Sequence, residues 1–539
     1  MPAQRPSKLT TPDQPTPLDR DVCYRALRTR DVRFDGKFYT AVKTTGIYCR
    51  PVCPARTPKL ENCVFVPSAA AAHELGFRPC LRCRPELAPA SPAFRGTVNT
   101  VSRALHLIAQ GGCDEGGVEA LAERLGVGAR QLRRLFERHV GATPTSVLQA
   151  QRILFAKKLL SETSLSMTEV ALAAGFGSVR RFNHVIAQTY GRPPSALRRA
   201  RSSALAAEQG VSLRLPYRPP YDWRGMLEFL AARAITGVEF VDAERYCRTF
   251  ALGAATGTIE VSAVPDQPQL LARIRSSDVA ALSGVVARLR QLFDLDADSA
   301  AIDAHLAQHP SFARRVRLRP GVRVPGAWDA FEIAVRAVLG QQVSVKAATT
   351  FAARLVASCG RPVADGGGTS RWLFPTPEAL ARADLTRVGL TRARAATLRA
   401  LASAVAADPS LLSASATLDD SVAKLARLPG IGAWTAHYIA LRALREPDAF
   451  PAADVGLLRA LETHAGRPTP AELARMAEAF RPWRAYAVLR LWTQPLPPSS
   501  GTFSAAASAL SGDAGRRSDR RAARSPRAPR APRPDTLAP

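Results

Sequence analysis

The sequence predicts a multidomain, mainly α-helical protein, and three observations carry that prediction. Two closely spaced cysteine pairs stand near the N-terminus, a helix-turn-helix spacing occurs twice after them, and a Gly/Pro hairpin with a downstream aspartate lies in the last third. In chain order we expect a small α/β domain over 18–88, a paired helix-turn-helix domain over 97–200, an α+β subdomain over 211–293, an all-α helix-hairpin-helix core over 294–494 and a disordered basic tail over 495–539. At 539 residues there is length for several separate cores. Lys and Arg total 74 against 45 Asp and Glu, a formal +29, and an excess of that size calls for a polyanionic partner, nucleic acid before membrane. An Arg-rich proteome would give the same excess, so charge alone does not decide it. No apolar run reaches the roughly 18 residues of a membrane span, and Pro2, Pro6, Pro12, Pro15 and Pro17 leave no signal-peptide core. The expectation is a cytoplasmic, nucleoid-associated monomer whose nine cysteines serve as thiols or metal ligands rather than disulfides.

Four of those cysteines are clustered. Cys49 and Cys53 in GIYCRPVC and Cys80 and Cys83 in FRPCLRC give C-x3-C, a gap of 26 residues, then C-x2-C. That arrangement suits tetrahedral zinc held by four thiolates at about 2.3 Å. Cys23, Cys63, Cys113, Cys247 and Cys359 stand alone and are expected as core thiols. On spacing alone the zinc site is closed and structural. The runs TTGIYCRPVCPAR and FRPCLRCRPEL, however, resemble the N-terminal domain of the Ada family of alkylation-response proteins, with the cysteine spacing matched throughout. The resemblance implies Zn(2+) and makes Cys49 the acceptor of a methyl group from a methyl phosphotriester in DNA. Zinc keeps sulfur as thiolate near neutral pH, and a neutral phosphotriester does not repel the anionic cluster as a phosphodiester does. Methylation would remove one negative charge and weaken that repulsion, a chemical switch for binding.

In the next domain Ala122, Gly126 and Leu132 keep the A-x3-G-x5-L spacing of a helix-turn-helix, with Gly126 in the turn and Ala129 to about His139 as the second helix. A second copy runs from Met167, turns at Gly175 and continues from Val179 to about Tyr190; the turn glycines are 49 residues apart. The pair, its second member reading GFGSVRRFNHVIAQTYGRPPSAL, resembles the AraC-type DNA-binding domain. Arg130, Arg133, Arg134, Arg180 and Arg181 are the candidates to face a major groove or its phosphates, although any one of them taken singly reads as a solvated helix face. Small residues in RRARSSALAAEQGVS (198–212) then suggest a hinge.

From Leu213 to about Phe293 a helical pattern at Gly225 to Ala234 mixes with strand-like runs such as GTIEVSAV, hence an α+β subdomain. Beyond it, LPGIGAWTA (428–436) is followed by Asp454, 22 positions after Gly432. Pro429 fixes φ while Gly430 and Gly432 can take positive φ, so the segment should turn tightly between helices. The N–H groups of Gly430, Ile431 and Gly432 would then meet a DNA phosphate at the start of a helix running from Ala433 to about Arg445, without reading a base. Asp454, with Leu457, Leu458 and Leu461 after it, is expected at a helix N-cap, where the helix terminus favours a charged carboxylate. About 4 Å from a sugar that develops positive charge, such a carboxylate is worth about 4 kcal/mol at an effective dielectric of about 20. That is about a thousandfold in rate, enough for a leaving group already made labile by a positive charge.

Taken alone, the turn and the N-cap are ordinary. Together they resemble the AlkA type of helix-hairpin-helix DNA glycosylase, over about Val211 to Gln494, with supporting runs PPYDWRGMLEFLAARA (219–234), FEIAVRAVLGQQVSVKAA (331–348) and RPWRAYAVLRLW (481–492). By that resemblance Asp454 is the catalytic carboxylate; Tyr438, Trp434, Trp492 and Phe229 line the pocket for a flipped base, and Gln342 fills the vacated stack. An aromatic face attracts a cationic base by about 0.5–2 kcal/mol. Gln342 stands where the family has Leu, a better stacker. Trp434 stands where strand-cleaving relatives carry a Schiff-base Lys, which implies a monofunctional enzyme that leaves an abasic site and needs no cofactor for that step. The implied function is excision of 3-methyladenine and other alkylated purines from double-stranded DNA, joined to a methyl-phosphotriester-sensing transcriptional regulator. The competing reading is an AraC-type regulator whose C-terminal half binds DNA without catalysis; Asp454 and the aromatic set speak against it. No PCHR signature of an O6-methylguanine transferase is present, and no cysteine follows Cys359 to hold an iron–sulfur cluster. Eight arginines between Arg516 and Arg533 make the tail a nonspecific DNA tether in this reading.

Overall fold

The computed structural model describes residues 18–89, 99–109, 117–198, 210–363, 372–413, 417–462 and 466–493. The chain is multidomain and mainly α-helical, as predicted. Its N-terminal unit is a four-stranded sheet in the order Cys63–Val66, Tyr39–Val42, Ile47–Cys49, Arg78–Pro79, flanked by short helices. The first hairpin is antiparallel, with Thr40 opposite Cys49, and the last strand lies parallel to the second, with Ile47 opposite Arg78. This crossover brings the two cysteine pairs together: Cys80 leaves its strand donating its N–H to the Tyr48 carbonyl (3.0 Å), one residue from Cys49.

Both helix-turn-helix units form. Gly117–Arg124 and Ala129–Val140 turn through Gly126 at φ +70, and Met167–Ala173 and Val179–Tyr190 through Gly175 at φ +75. Ser166 starts the second unit in a capping box with Glu169, and Ser178 caps its second helix by accepting from the Arg181 N–H. The 19-residue helix Pro144–Glu162 joins the units.

The α+β subdomain holds a five-stranded antiparallel sheet in the order Val211–Pro216, Gln269–Ser276, Ala255–Ala263, Arg245–Leu252, Glu239–Val241. Beyond it the chain is helical. Two apolar cores organise this half, and helix Ala433–Arg442 lies between them, giving Ala440 and Leu441 to one and Ala436 and Ile439 to the other.

Residues 199–209 of the expected hinge, the tail over 495–539 and Cys113 lie outside the described residues. The elements on either side of 199–209 are not separate bodies, which differs from the expectation of a hinge. Leu159, Phe182 and Ile186 of the helix-turn-helix region share one continuous core with Leu213, Leu215 and Ile274 of the sheet. Polar groups seal the same junction. Glu162 accepts from the Arg214 N–H (3.0 Å), pairs with Lys158 (3.1 Å) and receives Arg84 of the N-terminal unit (3.3 Å). Buried Arg218 donates to the Asp35 carbonyl (3.1 Å), and Lys37 pairs with Asp298 at 2.6 Å. Of the lone cysteines, Cys23 and Cys63 are buried as expected, whereas Cys247 and Cys359 are only half-buried. Among the described residues no helix is long and apolar enough to cross a membrane.

Candidate functional site

The LPGIG turn joins helix Leu418–Ala426 to helix Ala433–Arg442. Gly430 sits at φ +78, and a Cβ there would lie 2.0 Å from Thr397 Oγ1, so glycine is required both by conformation and by space. Gly432 departs from the expectation: at φ −86 and ψ 178 it is an extended N-cap, not a left-handed residue. A Cβ there would meet nothing within 4 Å. Gly432 is exposed, and no side chain caps the helix there. Ile431 is a second correction to the phosphate-binding set. Its N–H donates to the Leu428 carbonyl (3.1 Å) and its side chain is buried, because the turn closes on that bond. Among the described residues, the turn therefore leaves the amides of Gly430, Gly432 and the first helical turn for an outside partner. The helix ends at Arg442, short of Arg445, which itself takes φ +58.

Asp454 is the N-cap of helix Val455–Ala460, as predicted. Its Oδ1 accepts from the Leu457 N–H (3.0 Å) and from Trp492 Nε1 (2.9 Å), and its Oδ2 accepts from Trp434 Nε1 (2.8 Å). Trp434 stacks on Tyr438 with centroids 5.5 Å apart, and Tyr438 lies 5.9 Å from Trp492. The structure thus brings Asp454, Trp434, Tyr438 and Trp492 into one cluster. Gly456, which the sequence reading missed, makes room for it: a Cβ there would lie 2.9 Å from Asp454 Oδ1 and 3.5 Å from Trp492 Nε1.

Phe229 is placed differently. It is buried, with the Arg233 guanidinium 3.7 Å and the Arg442 guanidinium 5.0 Å from its ring centroid. Arg442 also donates to the Tyr438 hydroxyl (3.1 Å). Burial alone would raise the Tyr438 phenol, but the guanidiniums of Arg442, Arg233 and Arg336 outweigh it and hold the phenol below its ordinary value. Phe229 and Tyr438 therefore face the protein's own cations. Arg233 and Arg442 stand four residues after Phe229 and Tyr438, a spacing that could have flagged each pair, whereas only the fold brings the two pairs and Arg336 together. Gln342 is exposed at φ +54 on the loop before helix Val345–Cys359. Its neighbour Gln341 is half-buried and points at the hairpin.

In the N-terminal unit the four candidate zinc sulfurs, Cys49, Cys53, Cys80 and Cys83, lie within 4.8 Å of one another. Ligands of a tetrahedral zinc with bonds of about 2.3 Å stand about 3.8 Å apart, and Cys53 and Cys80 are separated by 4.0 Å. The donor set fits the ion. Hydrogen bonding from Cys49 draws the Cys53 thiol below its ordinary value. Arg50 donates its N–H to Cys83 Sγ (3.3 Å) and its guanidinium to the Cys83 carbonyl (2.9 Å) and to Asp35 (2.8 Å). Cys53, Cys80 and Cys83 are buried, and Cys49 alone is partly open. Arg130, Arg133, Arg134, Arg180 and Arg181 are all exposed on the second helices of their units, with Arg133 also reaching Glu119 at 3.3 Å.

Comparison with known proteins gives four matches along the chain. Family profiles described as "Metal binding domain of Ada", "Helix-turn-helix domain", "AlkA N-terminal domain" and "HhH-GPD superfamily base excision DNA repair protein" match residues 22–86, 121–200, 212–329 and 335–485. The "Probable bifunctional transcriptional activator/DNA repair enzyme AlkA" of Mycobacterium tuberculosis is 44% identical over 480 residues, 88% of this chain and 96% of its own. The chain belongs to this bifunctional AlkA family. Two further relatives each match part of the chain. DNA-3-methyladenine glycosylase 2 of Escherichia coli K12 is 37% identical over 52% of this chain and 95% of its own. The bifunctional transcriptional activator/DNA repair enzyme Ada of the same organism is 35% identical over 33% of this chain and 48% of its own.

Proposed function

We propose that the C-terminal half excises 3-methyladenine and other alkylated purines from double-stranded DNA as a monofunctional glycosylase, and that the N-terminal half is a methyl-phosphotriester-sensing transcriptional regulator, the chain working as a monomer in the cytoplasm. The observation that carries the reading is the Asp454 carboxylate, held by three N–H donors, two of them indoles of an aromatic cluster. In this reading the amides of Gly430, Gly432 and the first helical turn take a phosphate of the damaged strand. Gln342 enters the stack, and the target base swings out among Trp434, Tyr438 and Trp492. The bond from C1′ to the base nitrogen breaks, its electron pair leaving with the base, while Asp454 stabilises the cationic sugar. Water then adds to C1′ and loses a proton, leaving an abasic site. Position 434 offers an indole in place of an amine, so the sugar has no Schiff-base partner there. Hydrolysis in this scheme asks for nothing beyond water and these residues. DNA-3-methyladenine glycosylase 2 supports the choice of lesion.

For the other half, Cys49, Cys53, Cys80 and Cys83 would hold zinc, which when bound keeps the sulfurs as thiolates. Cys49, the open ligand, attacks the methyl carbon of a phosphotriester; the S–C bond forms as the C–O bond breaks, and the electron pair returns to the phosphate oxygen. Arg130, Arg133, Arg134, Arg180 and Arg181 contact the operator.

Two measurements test the proposal. The parent chain should release alkylated purine from methylated duplex DNA, and Asp454→Asn should lose at least about a hundredfold in rate. Excision at the parent rate by that variant removes Asp454 from the mechanism, and a parent without excision leaves a regulator whose C-terminal half only binds DNA. After exposure to methylated DNA, mass spectrometry should find one added CH2 on Cys49; an unmodified Cys49 ends the methyl-acceptor reading.

A further inference from the structure

We propose that Gln341 is a positioning residue that locks the intercalating side chain to the strand-gripping hairpin. The inference rests on the reading of Gln342 as that side chain. Gln341 donates from Nε2 to two acceptors at once, the Gly430 carbonyl (2.8 Å) in the hairpin turn and Thr435 Oγ1 (3.0 Å) in the first turn of the helix that follows. Thr435 is 2% exposed, so its hydroxyl offers a fixed rather than a mobile partner. The main-chain carbonyl of Gln341 accepts from Arg394 Nη2, and Arg394 belongs to helix Arg392–Ala407, whose Thr397 packs against Gly430. Three segments therefore meet at one glutamine: the loop that carries residue 342, the hairpin and the helix behind it.

The next residue needs that support. Gln342 is held at φ +54, a conformation unfavourable for a non-glycine residue that persists only where its neighbours impose it. Gln341 anchors the loop on one side. On the other, Ser344 caps helix Val345–Cys359 by accepting from the Ala347 N–H (3.2 Å). The offset between the exposed side chain of Gln342 and the free amides of the hairpin is thus set before DNA arrives, so that gripping a phosphate and filling the stack become one event. The chemistry of the link is demanding. It needs a side chain of this length ending in N–H groups, since Asn is one CH2 shorter, Met has no donor and Glu would set its carboxylate against the Gly430 carbonyl. The doubled QQ of LGQQVS divides into an inward anchor and an outward wedge.

The test is single-turnover excision on a duplex with one alkylated purine beside 2-aminopurine, whose fluorescence follows base flipping, using the full chain. Gln341→Met should slow both the fluorescence rise and excision by about thirtyfold, the worth of two ordinary hydrogen bonds, and Gln341→Glu by more. In a Gln342→Ala background the same Gln341→Met change should cost little, because no wedge remains to be aimed. An equal loss in both backgrounds, or parental flipping by Gln341→Met in a chain whose parent excises normally, overturns the proposal. A parent that neither flips nor excises removes the reading of the site itself and the inference with it.

Discussion

Asp454 shows how much a single carboxylate's surroundings decide. As an N-cap it needs only one donor, the Leu457 N–H, yet it also receives both indole N–H groups of the aromatic cluster. Indoles donate and never accept, so the carboxylate is aimed as well as held. Another acid titrates where proteins usually work. Burial pushes Glu446 up to about 7; the Arg103 charge pulls the other way and Asp448 adds to the rise. In the native state this carboxyl keeps its proton to about 7, against an ordinary value of 4.5, so between those limits the folded chain binds the extra proton. Stability from this group is then greatest at the acid end and falls as pH rises, with the loss complete above about 7. Glu446→Gln has no such slope. Its melting temperature relative to the parent should climb from about pH 5 to about pH 8, and a constant difference across that range would show that Glu446 is not held protonated.

At the level of elements, the hairpin separates two glycines that look alike in the sequence. Gly430 is left-handed and lies against Thr397; Gly432 is extended with open space in front. Gly430→Ala should therefore cost about 2–4 kcal/mol, from strain and from the clash. Gly432→Ala should stay within about 1 kcal/mol, the difference between Gly and Ala at an N-cap. Urea unfolding of the two variants checks this, and similar midpoints would contradict the geometry. Helix boundaries were legible where local chemistry sets them. Ser166, Ser178 and the turn glycines Gly126 and Gly175 act within one or two turns of chain, and both helix-turn-helix units appear where the spacing places them. The helix from Ala433 was overrun because its end is set by distant partners. Arg442 bonds the Pro325 and Gly326 carbonyls, and the chain reverses at Arg445, just before Pro447.

Across the whole molecule, Glu162 is the point where three units converge. The N-terminal unit offers Arg84, the long helix Lys158 and the sheet subdomain the Arg214 N–H. Glu162→Ala strands Lys158, which is 5% exposed, without its carboxylate. The expected loss is about 3–5 kcal/mol, the usual result of removing one partner of a buried pair. It should appear as an earlier urea midpoint for signals from both halves, and a shift confined to one half would show that the junction does not join them. The order of the units, the four clustered thiols and the N-cap carboxylate were all legible along the chain. Each of those rests on the identity and spacing of residues close together in the chain. Packing at a distance set Phe229 against Arg442, aimed Gln341 at the hairpin and gave the helix-turn-helix region and the sheet subdomain a shared core. Those contacts join residues tens to hundreds of positions apart, and packing, rather than local periodicity, selects the partner.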